Sequence, residues 1–253
     1  MDAKKGAFAL VGEDLLDTQL QKEKEDVGVK TKRFFEFSRE WWAEYTQLNQ
    51  IFKNRAVKIF ANDLYGAMKP VCYFLRRLHC RGISTPEEAA RFVSLIPFEG
   101  AGRIEHEKTE WQEIHSFLAE GRGNAVDHAL LLCSLLLGFS LDAYVCLGSS
   151  SDGAHAWVVT SEEKKFGNKL VKEFKFWESL TGKVYSRKDP RVNYLYRRIG
   201  CIFNDKTFFA NLQKDDTVPK KYQSNLLGNP NKFGPQGRPI LEDNGRYLRL
   251  PAP

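Results

Sequence analysis

An α+β domain, with one buried helix packed on an antiparallel sheet, is the architecture that three features of this 253-residue chain predict. Leu130, Leu131, Leu132, Leu135, Leu136 and Leu137 surround nearly the whole circumference of a helix over 125–137, which leaves it no solvent face and makes it central. Strand-like runs follow at 143–147, 154–160, 174–178 and 198–203, rich in β-branched and aromatic residues and separated by polar or glycine-bearing loops. A buried helix followed by such strands is the order of an α+β domain. A content of 42% hydrophobic and 13% aromatic residues is enough for one substantial core, and it excludes a wholly disordered protein.

In chain order, residues 1–31 combine an apolar patch, Phe8 to Val11, with the charged run Gln21 to Asp26, and are expected to form a mobile or docked arm. The domain proper is expected over 32–212. Phe34, Phe35, Phe37, Trp41, Trp42 and Tyr45 can line one broad face of a helix over 32–52 that packs onto it. Residues 55–61 and 70–76 read as strands joined by a turn over 62–67. Ser84 or Thr85, followed by Pro86, Glu87 and Glu88, caps a helix running to Ser94, which Pro97, Gly100 and Gly102 stop. A further helix over 109–119 should turn Trp111, Ile114, His115 and Leu118 inward. Gly138 then suits a left-handed end to the leucine helix. Residues 213–253, rich in Asn, Gly, Pro and Lys, read as an irregular strap with one edge strand at 247–250.

Several function classes fall away on composition. The chain has 38 Lys and Arg against 32 Asp and Glu, a formal charge of +6, which favours an acidic partner where the excess clusters. Cys72, Cys80, Cys133, Cys146 and Cys201 are spread out and odd in number, with no secretory segment before them, so a reducing, cytoplasmic setting is expected. No His or Cys cluster has structural zinc spacing, and neither a P-loop nor a dinucleotide fingerprint occurs, so no metal and no cofactor are expected. No zinc module or recognition-helix signature points to nucleic acid. The longest apolar run falls short of the roughly 20 residues that span a bilayer, so no integral membrane contact is expected.

The chemistry lies in three segments: Gly123-Asn124-Ala125-Val126-Asp127-His128-Ala129, Ala154-His155-Ala156-Trp157 and Phe176-Trp177-Glu178-Ser179. They place a helix start, a strand His and a later strand acid in the order that thiol catalysis uses. There the helix start lowers a thiol pKa, the His takes its proton, and the acid orients the imidazole. Position 125 is Ala, which can neither attack a carbonyl nor share a proton with His155. Cys133 lies eight residues further on, about 12 Å down the helix axis, beyond the reach of the helix-start amides. Asn124 and Asp127 suit the cap of that helix, and a helix start also exposes amides able to hold a partner's carboxylate.

With the runs Arg55 to Phe60, Ala90 to Leu95, Asp127 to Gly138, Phe176 to Gly182 and Ile199 to Phe203, the chain resembles the transglutaminase-like (papain-like) superfamily, in the form found in centriolar and ciliary proteins. The resemblance covers about residues 34–210. It implies that Ala125 stands where active relatives carry the nucleophilic Cys, that His155 matches the base, and that Glu178 matches an acid that is usually Asp. It therefore implies a pseudoenzyme at the centrosome, centriole or ciliary base, working through centriolar or ciliary proteins and recognising peptides such as glutamylated tubulin tails. Candidate peptide contacts are Asn124, Asp127, His128 and Trp157, with Arg187, Lys188, Arg191, Arg197 and Arg198 if these converge. Two alternatives stand beside it: a thiol peptidase or transglutaminase-type enzyme silenced by Cys-to-Ala substitution at 125, and a purely structural centriole assembly module. The C2 domain of full-length relatives is not found here, so membrane association through one is not carried over.

Overall fold

The structure, a computed structural model, describes residues 32, 34–99, 110–166, 169–211 and 217–218. The expected arm over 1–31 and most of the strap, including the strand at 247–250, lie outside the described residues. Phe34, Ser38, Trp41 and Tyr45 recur at intervals of three or four and are the buried face of helix α1, residues 34–48. Trp41 stacks on Tyr45 at 5.2 Å and meets Phe208 edge-on at 6.2 Å, and the Tyr45 hydroxyl donates to the Asn211 carbonyl at 2.9 Å. These contacts fix α1 to the far end of the described chain.

Two of the expected strands are much shorter than their composition suggests. Only β1, Phe60–Asn62, and β2, Met68–Pro70, pair, as an antiparallel hairpin whose turn is held by Asp63 Oδ1 accepting from Tyr65 N and Ala67 N, both at 2.9 Å. Residues 55–59 are not strand, because that stretch lies against another part of the sheet: a Cβ on Gly200 would meet the Ala56 carbonyl oxygen at 2.2 Å, and Cys201 Sγ donates to the same oxygen at 3.5 Å. Beyond β2, Val71–Phe74 forms a 3-10 turn and Val71, Cys72, Phe74 and Leu75 are all buried, which a strand alternating between two faces could not achieve.

Helix α2, Pro86–Ser94, starts at Thr85, whose hydroxyl accepts from Glu88 N at 3.1 Å while Glu88 Oε2 accepts from Thr85 N at 3.3 Å. The next helix begins later than its pattern predicts: α3 is Ile114–Glu120, with Ile114 and Phe117 buried. Trp111 is buried ahead of it, His115 and Leu118 face solvent, and the phase counted from Trp111 is therefore wrong. Helix α4, Ala125–Gly138, has twelve consecutive buried residues from Asp127 to Gly138. Gly138 stays helical, and the left-handed residue is Ser140, with φ of 62°. What demands glycine at 138 is packing, since a Cβ there would meet the Leu78 carbonyl oxygen at 1.8 Å.

Six antiparallel strands form the main sheet: β3 Asp142–Ser150, β4 Gly153–Phe166, β5 Lys169–Glu178, β6 Lys183–Ser186, β7 Arg198–Phe203 and β8 Phe208–Ala210, in the order β6-β5-β4-β3-β7-β8. The short edge strands β6 and β8 carry no pattern that marked them beforehand. Ala143, Val145, Ala156, Val158 and Trp177 join the α4 leucines in one core. The alternating residues, among them Cys146, Trp157, Phe174 and Phe176, form a second core with Val192 and Tyr196, from short helix α5, Val192–Leu195, and its C-cap. The result is the expected α+β arrangement, a buried helix on an antiparallel sheet. Of the strap, Thr217 pairs with Arg198 and Val218 is buried. Among the described residues, no helix is long and apolar enough to cross a membrane.

Candidate functional site

The start of α4 is closed by a reciprocal cap. Asn124 Oδ1 accepts from Val126 N at 2.8 Å and Asp127 N at 3.1 Å, and Asp127 Oδ2 accepts from Asn124 N at 2.9 Å. Asp127 Oδ1 also accepts from Gln112 N at 3.0 Å, which ties the approach to α3 onto the same helix start. Ala125 is the first residue of α4, half-buried, with only a methyl group to present. The rise of α4 from Gly138 back to Ala125 is about 20 Å, and β3 covers about the same distance from Asp142 to Gly148. Equal lengths of helix and strand therefore separate Ala125 and Gly148 from the α4–β3 turn, and Gly148 pairs with His155 of β4.

His155 is held by its neighbour across β4 and β5. Its Nε2 lies 3.0 Å from Glu178 Oε2 and 3.2 Å from Oε1, with the two side chains 14% and 9% exposed. Because a carboxylate only accepts, Nε2 carries the proton in this pair and Nδ1 is left for another partner. Tyr196 completes the arrangement, its hydroxyl donating to Glu178 Oε2 at 3.1 Å while its ring stacks on Trp157 at 4.5 Å. Burial, and then the Glu178 carboxylate beside it, push the Tyr196 phenol well above its ordinary range and keep it a donor. The geometry can therefore orient and polarise an imidazole.

Residues 109–225 match the family model described as the CEP76 peptidase-like domain. This chain carries a CEP76 peptidase-like domain. It is 38% identical over 227 residues to mouse centrosomal protein of 76 kDa and 37% identical over 227 residues to the human protein, covering 82% of this chain and 33% of each relative. Human protein CC2D2B is 29% identical over 169 residues, 66% of this chain and 11% of that one. The chain thus spans about a third of the length of the centrosomal relatives it matches. Among solved structures, EGTA-treated Legionella pneumophila LapG superposes with a TM-score of 0.41 at 14% identity, over 75% of this chain and 87% of that one.

Within the CEP76 peptidase-like domain, three candidate peptide contacts prove inaccessible. Asp127 is 1% exposed, and its carboxylate is committed to the cap and to Gln112. His128 is fully buried, with Nδ1 2.8 Å from the Asn124 carbonyl, Nε2 3.0 Å from the Ile96 carbonyl and its ring against Phe117. Trp157 is also fully buried, as part of the stack behind His155. Asn124 remains half-buried beside Ala125, its side-chain oxygen engaged by the helix amides.

The basic residues do not converge. Arg197 N donates to Ser149 O at 2.8 Å and Arg198 pairs with Ser149, which in turn pairs with Ala154, so both exposed arginines lie about two strand spacings, or 10 Å, from the chain at His155. Arg187 lies opposite Phe174, and Phe174 pairs with Ser161, which puts Arg187 and Lys188 at the other end, about six residues or 20 Å along the strand direction. Arg187 is half-buried over the Phe174 ring, and burial lowers its guanidinium from the ordinary value. Arg191 forks onto Asp189, with contacts from 2.7 to 3.1 Å. Tyr196 was missed by sequence reading, and its one signal is the four-residue spacing from Val192.

The thiols offer no substitute nucleophile at this end. Cys133 is fully buried in α4, where burial pushes its thiol well above the ordinary value. Burial likewise raises Cys72 and Cys146, and takes Cys201 up to about 12, while Cys80 is exposed. Among the described residues, no group of three or more His, Cys, Asp or Glu side chains could hold a metal ion.

Proposed function

We propose that this chain is a non-catalytic recognition module of a centriolar or ciliary protein, and that it takes an extended acidic peptide, such as a glutamylated tubulin tail, at the end of the sheet where α4 begins. The observation that carries this reading is chemical: Ala125 opens α4 with a methyl group, while His155, Glu178 and Tyr196 remain hydrogen-bonded as a set. An imidazole backed by a carboxylate has its free Nδ1–H to offer a ligand carboxylate when protonated, and Arg197 and Arg198 lie at the same end of the sheet. Relatives named as centrosomal proteins support work at the centrosome. The test compares glutamylated and unmodified tubulin-tail peptides for binding to the wild-type chain and to His155→Ala at low salt. Tighter binding of the glutamylated peptide, lost with His155, is the expected result; equal and negligible binding of both would remove the ligand assignment.

The intact His155–Glu178 bond favours one second reading, an enzyme of the thiol peptidase or transglutaminase type whose nucleophile has been replaced. Ala125→Cys tests it directly with a thiol-directed activity probe. Labelling that needs His155 would support the enzyme, and no such labelling would count against it.

A further inference from the structure

The β5–β6 register decides which backbone groups face away from the sheet along the outer edge of β6. Arg187 N donates to Phe174 O at 3.1 Å, so Phe174 and Arg187 are a hydrogen-bonded pair in the β5–β6 register. Bonded pairs alternate along an antiparallel ladder, and Tyr185 and Lys183 therefore turn their backbone groups inward to Phe176 and Glu178. Val184 and Ser186 turn theirs outward. Of those groups, Ser186 O accepts from Asp189 N at 2.9 Å, while no backbone partner among the described residues meets the N–H and C=O of Val184 or the N–H of Ser186. An edge of this kind is a template for another strand.

Charge selects the occupant. Lys183 and Lys188 are exposed at the two ends of the edge, and Arg91 of α2 flanks its start, its Cα lying 3.3 Å from where a Cβ on Gly182 would stand. Of the nearby acids, Asp189 is held by Arg191, and Glu178, opposite Lys183, by His155 and Tyr196. Two copies pairing edge to edge would bring lysines together, which costs energy; an acidic strand would meet them with opposite charge. We propose that β6 accepts an extended acidic peptide of another protein as a seventh strand of the sheet. Lys183 shares the face of Phe176, Tyr185 and Arg187, so the occupant should carry its carboxylates at every second residue, on one face only. This surface borders the His155 end, since Lys183 pairs with Glu178, but the backbone groups it offers belong to Val184 and Ser186 on the outer side of β6.

The test uses the whole chain and an octapeptide of alternating Glu and Thr, against one of the same composition in Glu-Glu-Thr-Thr order, with binding read by fluorescence anisotropy and the Val184 and Ser186 amides by NMR. The alternating peptide should bind more tightly and shift those two amides. Ser186→Pro removes an outward N–H that takes no part in the ladder to β5, together with the hydroxyl that accepts from Lys188 N at 3.4 Å, and should weaken binding about tenfold. N-methylation of alternate peptide residues should do the same with the protein untouched, which keeps the test decisive if the proline variant does not fold. In His155→Ala the peptide-induced shifts of the Val184 and Ser186 amides should persist, which separates this edge from the proposal above. Equal binding of the two octapeptides, indifference to N-methylation, shifts confined to other amides, or a Ser186-dependent dimer in place of peptide binding would each overturn the assignment.

Discussion

Replacing Asp127 by Ala should lower stability without acting through a ligand. The carboxylate is 1% exposed and accepts from at least two backbone amides, Asn124 N at 2.9 Å and Gln112 N at 3.0 Å. Removing a charged acceptor strands both donors in a site with little access to water, at about 1.5 kcal/mol each, so the loss should be about 3 kcal/mol. For a domain of this size each kcal/mol shifts the melting temperature by about 2–4 °C, which predicts a fall of about 6–12 °C. Urea titration followed by tryptophan fluorescence reads the same quantity, and the midpoint should move at constant slope, since the surface exposed on unfolding is unchanged. A loss below about 1 kcal/mol would refute the reasoning. So would a variant of normal stability that had lost only peptide binding, because Asp127 would then be a ligand contact and not a cap.

Tyr196→Phe removes one of the donors to Glu178 and should cost about 1 kcal/mol in the same urea assay; no loss would mean that the carboxylate is held without the phenol. Ellman's reagent should titrate Cys80 alone in the folded protein and all five thiols in denaturant, and a second fast thiol in the native state would contradict the burial of Cys72, Cys133, Cys146 and Cys201. Burial works against the charge on Asp63, but the hydrogen bond from Lys69 and those from the amides of Ala67 and Tyr65 outweigh it and hold the carboxyl below its ordinary value. The folded state therefore takes up that proton less readily than the unfolded one, so the stabilisation is present above about pH 4 and is lost as pH falls further. Urea unfolding across acid pH should show a flatter acid limb for Asp63→Asn, and an unchanged limb would exclude Asp63 as a source of it.

The parts of the fold that were legible share one property: their signal is complete within a few neighbouring residues. Thr85, Pro86 and Glu88 make a cap among themselves, and the leucines of α4 declare a helix with no wet side whatever surrounds it. Residues 55–59 failed because their β-like composition was satisfied by Ala56 lying on Gly200, roughly 140 residues away in sequence, a contact that no local pattern reports. Helix α3 failed in phase because Trp111, ahead of the helix, is buried against Phe74 and Phe203 and so mimicked the first turn. At the candidate site, His155 and Glu178 stand on the adjacent strands β4 and β5, and their hydrogen bond depends on that pairing. Tyr196 was not legible, since its donation to Glu178 depends on how the α5 segment folds back under the sheet.

Residue identity by itself determined the chemistry available to this protein: a methyl group at 125, an imidazole at 155, a carboxylate at 178, and leucines enough to bury one helix completely. Only the tertiary structure decided which polar groups face water. Asp127 and His128 became internal, the basic residues divided between opposite ends of the sheet, and the outer N–H groups of Val184 and Ser186 meet no backbone partner among the described residues. The physical reason is that a side chain's acidity and shape belong to the residue, whereas its solvation and its partners belong to whatever distant segment packs against it.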